Sequence, residues 1–159
     1  ITWIPFNEGW GQFDTKKVVN KIQNLDSSRL INNASGWFDK GIGDIRDIHN
    51  YPDPKMPNNL NGRAAVVGEF GGLGLEVKGH MWKFKRKFVY RNLPDPQTLL
   101  KRYEKLVLKL KFLIESGLSA AIYTQTTDIE HEINGLLTYN REIIKMDKDK
   151  LRDLNLSLY

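Results

Sequence analysis

Short apolar runs that stop abruptly at polar side chains constrain this chain more than any other feature. Thr2-Trp3-Ile4-Pro5-Phe6 runs into Asn7-Glu8-Gly9, and Arg29 to Asn33 closes on Asn32-Asn33. Asp47-Ile48-His49-Asn50-Tyr51 is halted by Pro52 and Pro54, and Ala64-Ala65-Val66-Val67-Gly68 leads into Glu69-Phe70-Gly71-Gly72. Ser119-Ala120-Ala121-Ile122-Tyr123 gives way to Thr124-Gln125-Thr126-Thr127-Asp128. Runs of this kind, continuous rather than alternating, are expected of parallel strands covered on both faces. In α/β architectures sites are built at the C-terminal ends of such strands. The polar ends Asn7-Glu8, Asn32-Asn33, His49-Asn50-Tyr51, Glu69 and Gln125 to Asp128 are therefore expected to share one rim.

Helical spacing separates some of these runs. Asp14 is a suitable N-cap for a helix over Thr15 to Leu25, in which Val18, Val19, Ile22 and Leu25 fall near one face. Pro94-Asp95-Pro96 opens the longest helix, with Leu99, Leu100, Tyr103, Leu106, Val107, Leu110 and Ile114 along it and Gly117 at its stop. Ile133 to Tyr139 reads as a short extended piece, and Asp147 to Leu156 as a final short helix. The middle connections are only about a dozen residues, near the minimum for a crossover helix, so helices there are short or missing.

The 159 residues suffice for one domain with a core. No apolar run approaches the roughly 18 residues of a membrane helix. The absence of cysteine excludes a disulfide scaffold, a thiolate zinc site and a cysteine nucleophile. His49, His80 and His131 are scattered and no HExxH is present, so neither a metal site nor a cofactor is expected. Ser35 and Ser119 lack a nucleophile-elbow motif, and Gly71-Gly72-Leu73-Gly74 precedes no clear helix, unlike a phosphate-binding loop. The chain begins at Ile1 without a signal-like segment, which reads as a processed or excised piece.

Between Glu76 and Asp95 there is no acid. Lys78, Lys83, Lys85, Arg86, Lys87 and Arg91 alternate there with Trp82, Phe84, Phe88 and Tyr90, within a net charge of +5. Such a segment can grip a nucleic-acid backbone and stack on bases. No helix-turn-helix, RNA-recognition or zinc-finger pattern accompanies it, so the expectation is a solvated loop anchored by its aromatics, with no nucleic-acid partner.

Glu8 and Glu69 each follow an apolar strand, where a carboxylate is partly desolvated. Two carboxylates on one rim can cleave a glycosidic bond, one protonating the leaving oxygen and the other attacking the anomeric carbon or activating water. The structural alternative is that they pair with arginine or cap backbone amides. Trp3, Trp10, Trp37, Tyr51, Phe70 and Trp82 are candidates to stack on sugar, or to fill a core.

Trp3-Ile4-Pro5-Phe6-Asn7-Glu8-Gly9-Trp10-Gly11-Gln12 resembles the Asn-Glu motif at the fourth barrel strand of glycoside hydrolase family 2, the family of β-galactosidases, β-glucuronidases and β-mannosidases. Val67-Gly68-Glu69-Phe70-Gly71-Gly72 resembles its second glutamate motif, at the seventh strand, and Asp47-Ile48-His49-Asn50-Tyr51-Pro52 its sixth. Tyr123 to Glu130 and Asn134 to Tyr139 resemble the eighth strand and the segment after it.

The resemblance implies an α/β fold, a partial (β/α)8 TIM barrel of about the last five strands, fourth to eighth, with strands one to three absent. Residues 1–159 would then be the C-terminal portion of a glycoside hydrolase catalytic domain. It implies hydrolysis of terminal β-glycosidic bonds, β-galactosidase-like, by a retaining double displacement, with Glu8 as acid/base and Glu69 as nucleophile. Asn7 would bind the sugar 2-hydroxyl, His49 and Tyr51 would line the subsite, Tyr51 would donate to Glu69, and Trp82, with His80, would reach in from the loop after the seventh strand. The substrate would be a β-galactoside, β-glucuronide or β-mannoside, and the parent protein would work outside the bacterial cytoplasm. An open barrel piece would have an incomplete sugar pocket, little turnover and a tendency to self-associate. The alternative is a carbohydrate-binding remnant or pseudoenzyme.

Overall fold

The computed structural model describes residues 1–82 and 87–159. Its elements run in the order β1 (Thr2–Trp3), α1 (Thr15–Leu25), β2 (Leu30–Ile31), β3 (Ile45–His49), β4 (Ala64–Gly71), β5 (Leu73–Gly74), β6 (Arg91–Asn92), α2 (Pro96–Glu115), β7 (Ala120–Thr124) and α3 (Lys148–Leu156). All strand pairings are parallel, in three small sheets ordered β1-β2, β3-β4-β7 and β5-β6.

The partial barrel expected from the sequence is not formed. Each anticipated apolar run does contain a strand, but among the described residues the strands fall into separate sheets and none curls toward closure. The first two shrink to two residues each, and Pro5, just past β1, offers no ladder donor. The edge of β2 that a barrel would pair with the next strand is taken instead by the loop ahead of β3. Ile31 donates its backbone N–H to Asp44 Oδ2 (2.8 Å), Asp44 N–H donates to the Ile31 carbonyl (2.8 Å), and Asn32 bridges antiparallel to Gly43. Residues 32–44 and 50–63 contain no helix, so no outer helical layer covers that part of the molecule.

Helix α2 supplies the core. Leu99, Tyr103, Leu106, Val107, Leu110 and Leu113 are buried and cluster with Ala65, Val67 and Phe70 of β4 and Leu73 of β5. At about 1.5–3 kcal/mol per fully buried large aliphatic side chain, this stripe is the main apolar source of stability. Ile114, expected on that stripe, is 42% exposed, and Leu113 takes its place. Asp95 caps α2 by accepting from Thr98 N–H at 2.8 Å, and Gly117 stops it at φ +101°. Asp14 lies at the start of α1 but makes no side-chain cap; its backbone is left-handed at φ +43°. Strand β7 also departs from expectation: Ala120, Ala121 and Ile122 are exposed, so this strand is not covered on both faces. No described helix is long and apolar enough to cross a membrane.

Candidate active site

The site grows from a bulge. Strand β3 pairs with β4 residue for residue as far as Ile48 and Val67, and then His49 faces Glu69. The extra residue is Gly68. Its N–H donates to Asp47 Oδ1 at 2.6 Å, and a Cβ there would stand 2.2 Å from Asp47 Oδ2, so only glycine fits. A bulge re-aims the side chain that follows, and here it brings Glu69 beside His49. Period-2 geometry along β3 puts Ile45, Asp47 and His49 on one buried face, so the two polar residues of that face point the same way as Glu69.

Glu8 arrives by another route. Beyond β1 and β2 the two chains stay paired: Asn32 N–H donates to the Trp3 carbonyl (2.9 Å), Ser35 N–H to the Phe6 carbonyl (2.9 Å), and Glu8 N–H to the Ser35 carbonyl (2.6 Å). Glu8 then turns into the left-handed region at φ +55°. A glutamate held there is strained by about 1 kcal/mol or more, the kind of outlier that marks functional sites.

His49 joins the two carboxylates. Its side chain is fully buried, with Nδ1 lying 3.2 Å from Glu8 Oε1 and 3.4 Å from Glu69 Oε2. One acceptor atom from each of the three residues lies within 4.8 Å of the others. On the far side of the ring, Nε2 is 2.8 Å from Ser35 Oγ, which donates to Asp47 Oδ2 at 2.9 Å. Asp47 also accepts from Asn32 Nδ2 at 2.7 Å. Burial pushes the Asp47 carboxyl above its ordinary range, and donation from Ser35, Asn32 and Gly68 opposes this.

The hydrogen-bond network assigns the protons. Three donors converge on Asp47, so it acts as a carboxylate acceptor. Ser35 spends its only proton there and accepts from His49 Nε2–H. His49 Nδ1 thereby faces two carboxylate oxygens. Tyr51 supplies a proton to one of them: its hydroxyl donates to Glu69 Oε2 at 2.5 Å and lies 2.9 Å from Thr124 Oγ1. Burial, and then donation to Glu69, push the Tyr51 phenol far above its ordinary value, so it remains a donor. Glu69 accepts from Tyr51 whereas Glu8 faces the imidazole, an asymmetry that spacing in the sequence does not show.

The other anticipated residues divide. Tyr51 is part of the site, its ring stacked on Tyr90 with centroids 3.6 Å apart. Asn7 pairs with Ser35 through its backbone, and its side chain is exposed. Trp82 stands edge-on to Tyr139 and is 56% exposed; no ring or hydrogen-bond contact among the described residues joins it to the carboxylates. His80 lies with it, 3.1 Å from Asn140 Nδ2. Trp3 is committed elsewhere, donating to Asp26, and Phe70 is core. Trp10 and Trp37 form an exposed edge-to-face pair at 5.8 Å close to Glu8 along the chain, where Gly9 packs on the Trp37 carbonyl.

Of the basic segment, Lys83, Phe84, Lys85 and Arg86 lie outside the described residues. Lys87 pairs with Glu76, and Phe88 and Tyr90 anchor the segment to the body. Asp47, Thr124 and Tyr90 are members of the site that the sequence named only within longer runs, and Ser35 is one it offered only as a nucleophile without a motif. The i, i+2 relation of Asp47 to His49 was the one signal able to find any of them. No family model and no curated protein matches the chain.

Proposed function

We propose that the chain cleaves β-glycosides by a retaining double displacement at Glu69 and Glu8. The observation that carries this reading is the carboxylate separation: Glu8 and Glu69 bring one oxygen each within 4.8 Å of the other. Retaining glycosidases hold their carboxyl groups about 5–5.5 Å apart, and inverting ones about 6.5–9.5 Å. The resemblance to glycoside hydrolase family 2 supports the same reading.

The roles follow from the hydrogen bonds that the two carboxylates accept. Tyr51 donates to Glu69 Oε2, which leaves Oε1 to attack the anomeric carbon. As that bond forms, the bond from the anomeric carbon to the leaving oxygen breaks, and Glu8 gives that oxygen its proton. Water then attacks the glycosyl–Glu69 ester, passing its proton to Glu8 and freeing the Glu69 carboxylate. Trp10 and Trp37 offer ring faces for sugar stacking.

Covalent trapping tests this without requiring many turnovers. Dinitrophenyl 2-deoxy-2-fluoro β-galactoside, β-glucuronide and β-mannoside are each incubated with the chain, and the product is mapped by mass spectrometry. The expected result is one glycosyl group on Glu69 from one of the three series, absent in Glu69→Gln. Labelling of another residue, or of none by any series, refutes hydrolysis. Sugar binding by calorimetry with no adduct would identify the chain as a binding remnant.

A further inference from the structure

Glu8, His49 and Glu69 are arranged to hold a metal ion, although no metal-ligand spacing exists in the sequence. His49 Nδ1, Glu8 Oε1 and Glu69 Oε2 are all acceptors, with separations of 3.2 Å and 3.4 Å from the imidazole nitrogen to the two oxygens. Four-coordinate zinc bonds nitrogen and carboxylate oxygen at about 2.0–2.1 Å, which places ligand atoms about 3.3 Å apart along a tetrahedral edge. Both edges from the imidazole fit that value, and the third, between the two carboxylate oxygens, lies within 4.8 Å.

The second observation is the support behind the imidazole. A metal-bound histidine almost always donates its other ring N–H to a fixed acceptor, which sets the tautomer and frees the ligating lone pair. His49 does this through Ser35, itself held by the buried Asp47. The ring cannot swing away, because it is fully buried and packed on Gly36, where a Cβ would stand 2.7 Å from it. Glu69 is likewise oriented by Tyr51. The Glu8 and Glu69 side chains are 17% and 29% exposed, so solvent reaches the open side of the group. Among the described residues this is the one group of three such side chains able to converge on an ion.

We propose that Glu8, His49 and Glu69 form a binding site for one divalent transition-metal ion of the zinc class, with solvent completing the coordination. One imidazole with two carboxylates suits zinc better than magnesium or calcium, which favour all-oxygen shells. The ion's consequence for catalysis rests on the hydrolytic reading above: it ties up both the attacking and the protonating carboxylate and so acts as a reversible off-switch.

The test is calorimetric titration of the metal-free chain with zinc chloride, alongside circular dichroism to confirm folding. Saturation at one ion per chain is expected, with excess magnesium unable to displace it. Glu8→Gln and Glu69→Gln, both close in shape to the native side chains, should each weaken binding at least tenfold. Ser35→Ala should weaken it by about 10- to 100-fold through loss of the support behind His49. His80→Ala should bind as the parent does, although His80 also faces a carboxylate, Glu142, at 3.3 Å. No saturable binding by the folded chain up to about 1 mM zinc, the weak end of measurable affinity, overturns the site. So does undiminished binding by both glutamine variants, or loss of binding in His80→Ala. The two readings fail separately: zinc binding without a glycosyl adduct sinks hydrolysis alone, and an adduct without zinc binding sinks the metal site alone.

Discussion

Gly68→Ala is the substitution that most directly probes how the site is held. The added methyl would lie 2.2 Å from Asp47 Oδ2 and 2.4 Å from Oδ1, far inside van der Waals contact. Neither side yields cheaply. Gly68 belongs to an eight-residue central strand, and Asp47 is 3% exposed and tied by Asn32 and Ser35. Overpacking a rigid site costs about 1–3 kcal/mol, and weakening a hydrogen bond to a charged group, here Gly68 N–H to Asp47, costs about 1.5–3 kcal/mol. The two penalties arise from one displacement and do not fully add, so a loss of about 3 kcal/mol is expected. For a chain of this size that lowers the melting temperature by about 6–12 °C. Urea unfolding measures it, with Gly11→Ala as control, since nothing lies within 4 Å of a Cβ at Gly11. The cause is isolated by repeating Gly68→Ala in an Asp47→Ala background, where the clash is gone and the cost should fall below about 1 kcal/mol, within the range of coupling seen between contacting residues. A Gly68→Ala protein within about 0.5 kcal/mol of the parent, or an equal cost in both backgrounds, refutes the argument that the bulge is built around the Asp47 carboxylate.

Tyr51→Phe removes the phenol donor from Glu69 Oε2 while keeping the stack on Tyr90; loss of one charged hydrogen bond, about 1.5–3 kcal/mol, should slow the trapping reaction at Glu69 by about 10- to 100-fold, and an unchanged rate would remove Tyr51 from the mechanism. Asp39 accepts from both terminal nitrogens of Arg63 at 2.7 Å, and this hydrogen bonding holds its carboxyl well below the ordinary range. Its folded value is depressed, so its contribution is complete above the unfolded carboxylate value of about 3.9 and is lost as the pH falls through the lower folded value. Asp39→Asn should therefore cost about 2 kcal/mol at pH 7 and progressively less below about pH 4; a penalty that stays constant into strong acid would contradict the ion-pair account. Strand β7 presents Ala120, Ala121 and Ile122 to solvent, with Ile122 51% exposed. An apolar edge of this kind invites pairing between copies, so Ile122→Lys should lower the apparent mass by light scattering at high concentration, and a parent that is already monomeric there would dispose of the idea.

The elements of this chain were more legible than their assembly. Capping and spacing located α2 to within a residue of its start, because Asp95 and Pro96 mark its first turn and leucines recur along one face. Strand positions were also readable, since β4 opens with Ala64, Ala65, Val66 and Val67 and β7 with Ala120, Ala121, Ile122 and Tyr123. Their grouping was not. A continuous apolar run says that a strand is wanted in a core, but not which edge it pairs with. The Gly43-Asp44 turn that occupies the edge of β2 carries no apolar signal at all. Glu8, Glu69, His49 and Tyr51 were recoverable from their places at strand ends, whereas Ser35 sits in a Gly- and Asn-containing loop with no motif. Trp82 was drawn in by the resemblance, as part of the loop after the seventh strand, and its ring stands edge-on to Tyr139.

This separation of site from sheet explains how the carboxylates can meet without a closed barrel. In a barrel, strand closure would set the distance between the ends of distant strands. Here β1-β2 and β3-β4-β7 are separate sheets, and what spans them is polar. Asn32 and Ser35, carried by the segment after β2, both donate to Asp47 of β3, and Ser35 also accepts from His49. The backbone of the same segment holds Glu8. Residues 32–35 are thus the hinge through which the two halves of the site register, and the buried Asp47 is their common anchor. A network of this kind sets distances through directional bonds, so it fails as a unit when one member is lost. Ser35→Ala, which removes no apolar contact of consequence, should accordingly separate Glu8 from His49 more than its small change in volume suggests. The nuclear magnetic resonance shift of the His49 ring protons, followed with and without Ser35→Ala, reads this directly. An imidazole whose signals and proton exchange are unmoved by the substitution would show that packing on Gly36, and not the hydrogen-bond chain, holds the site together.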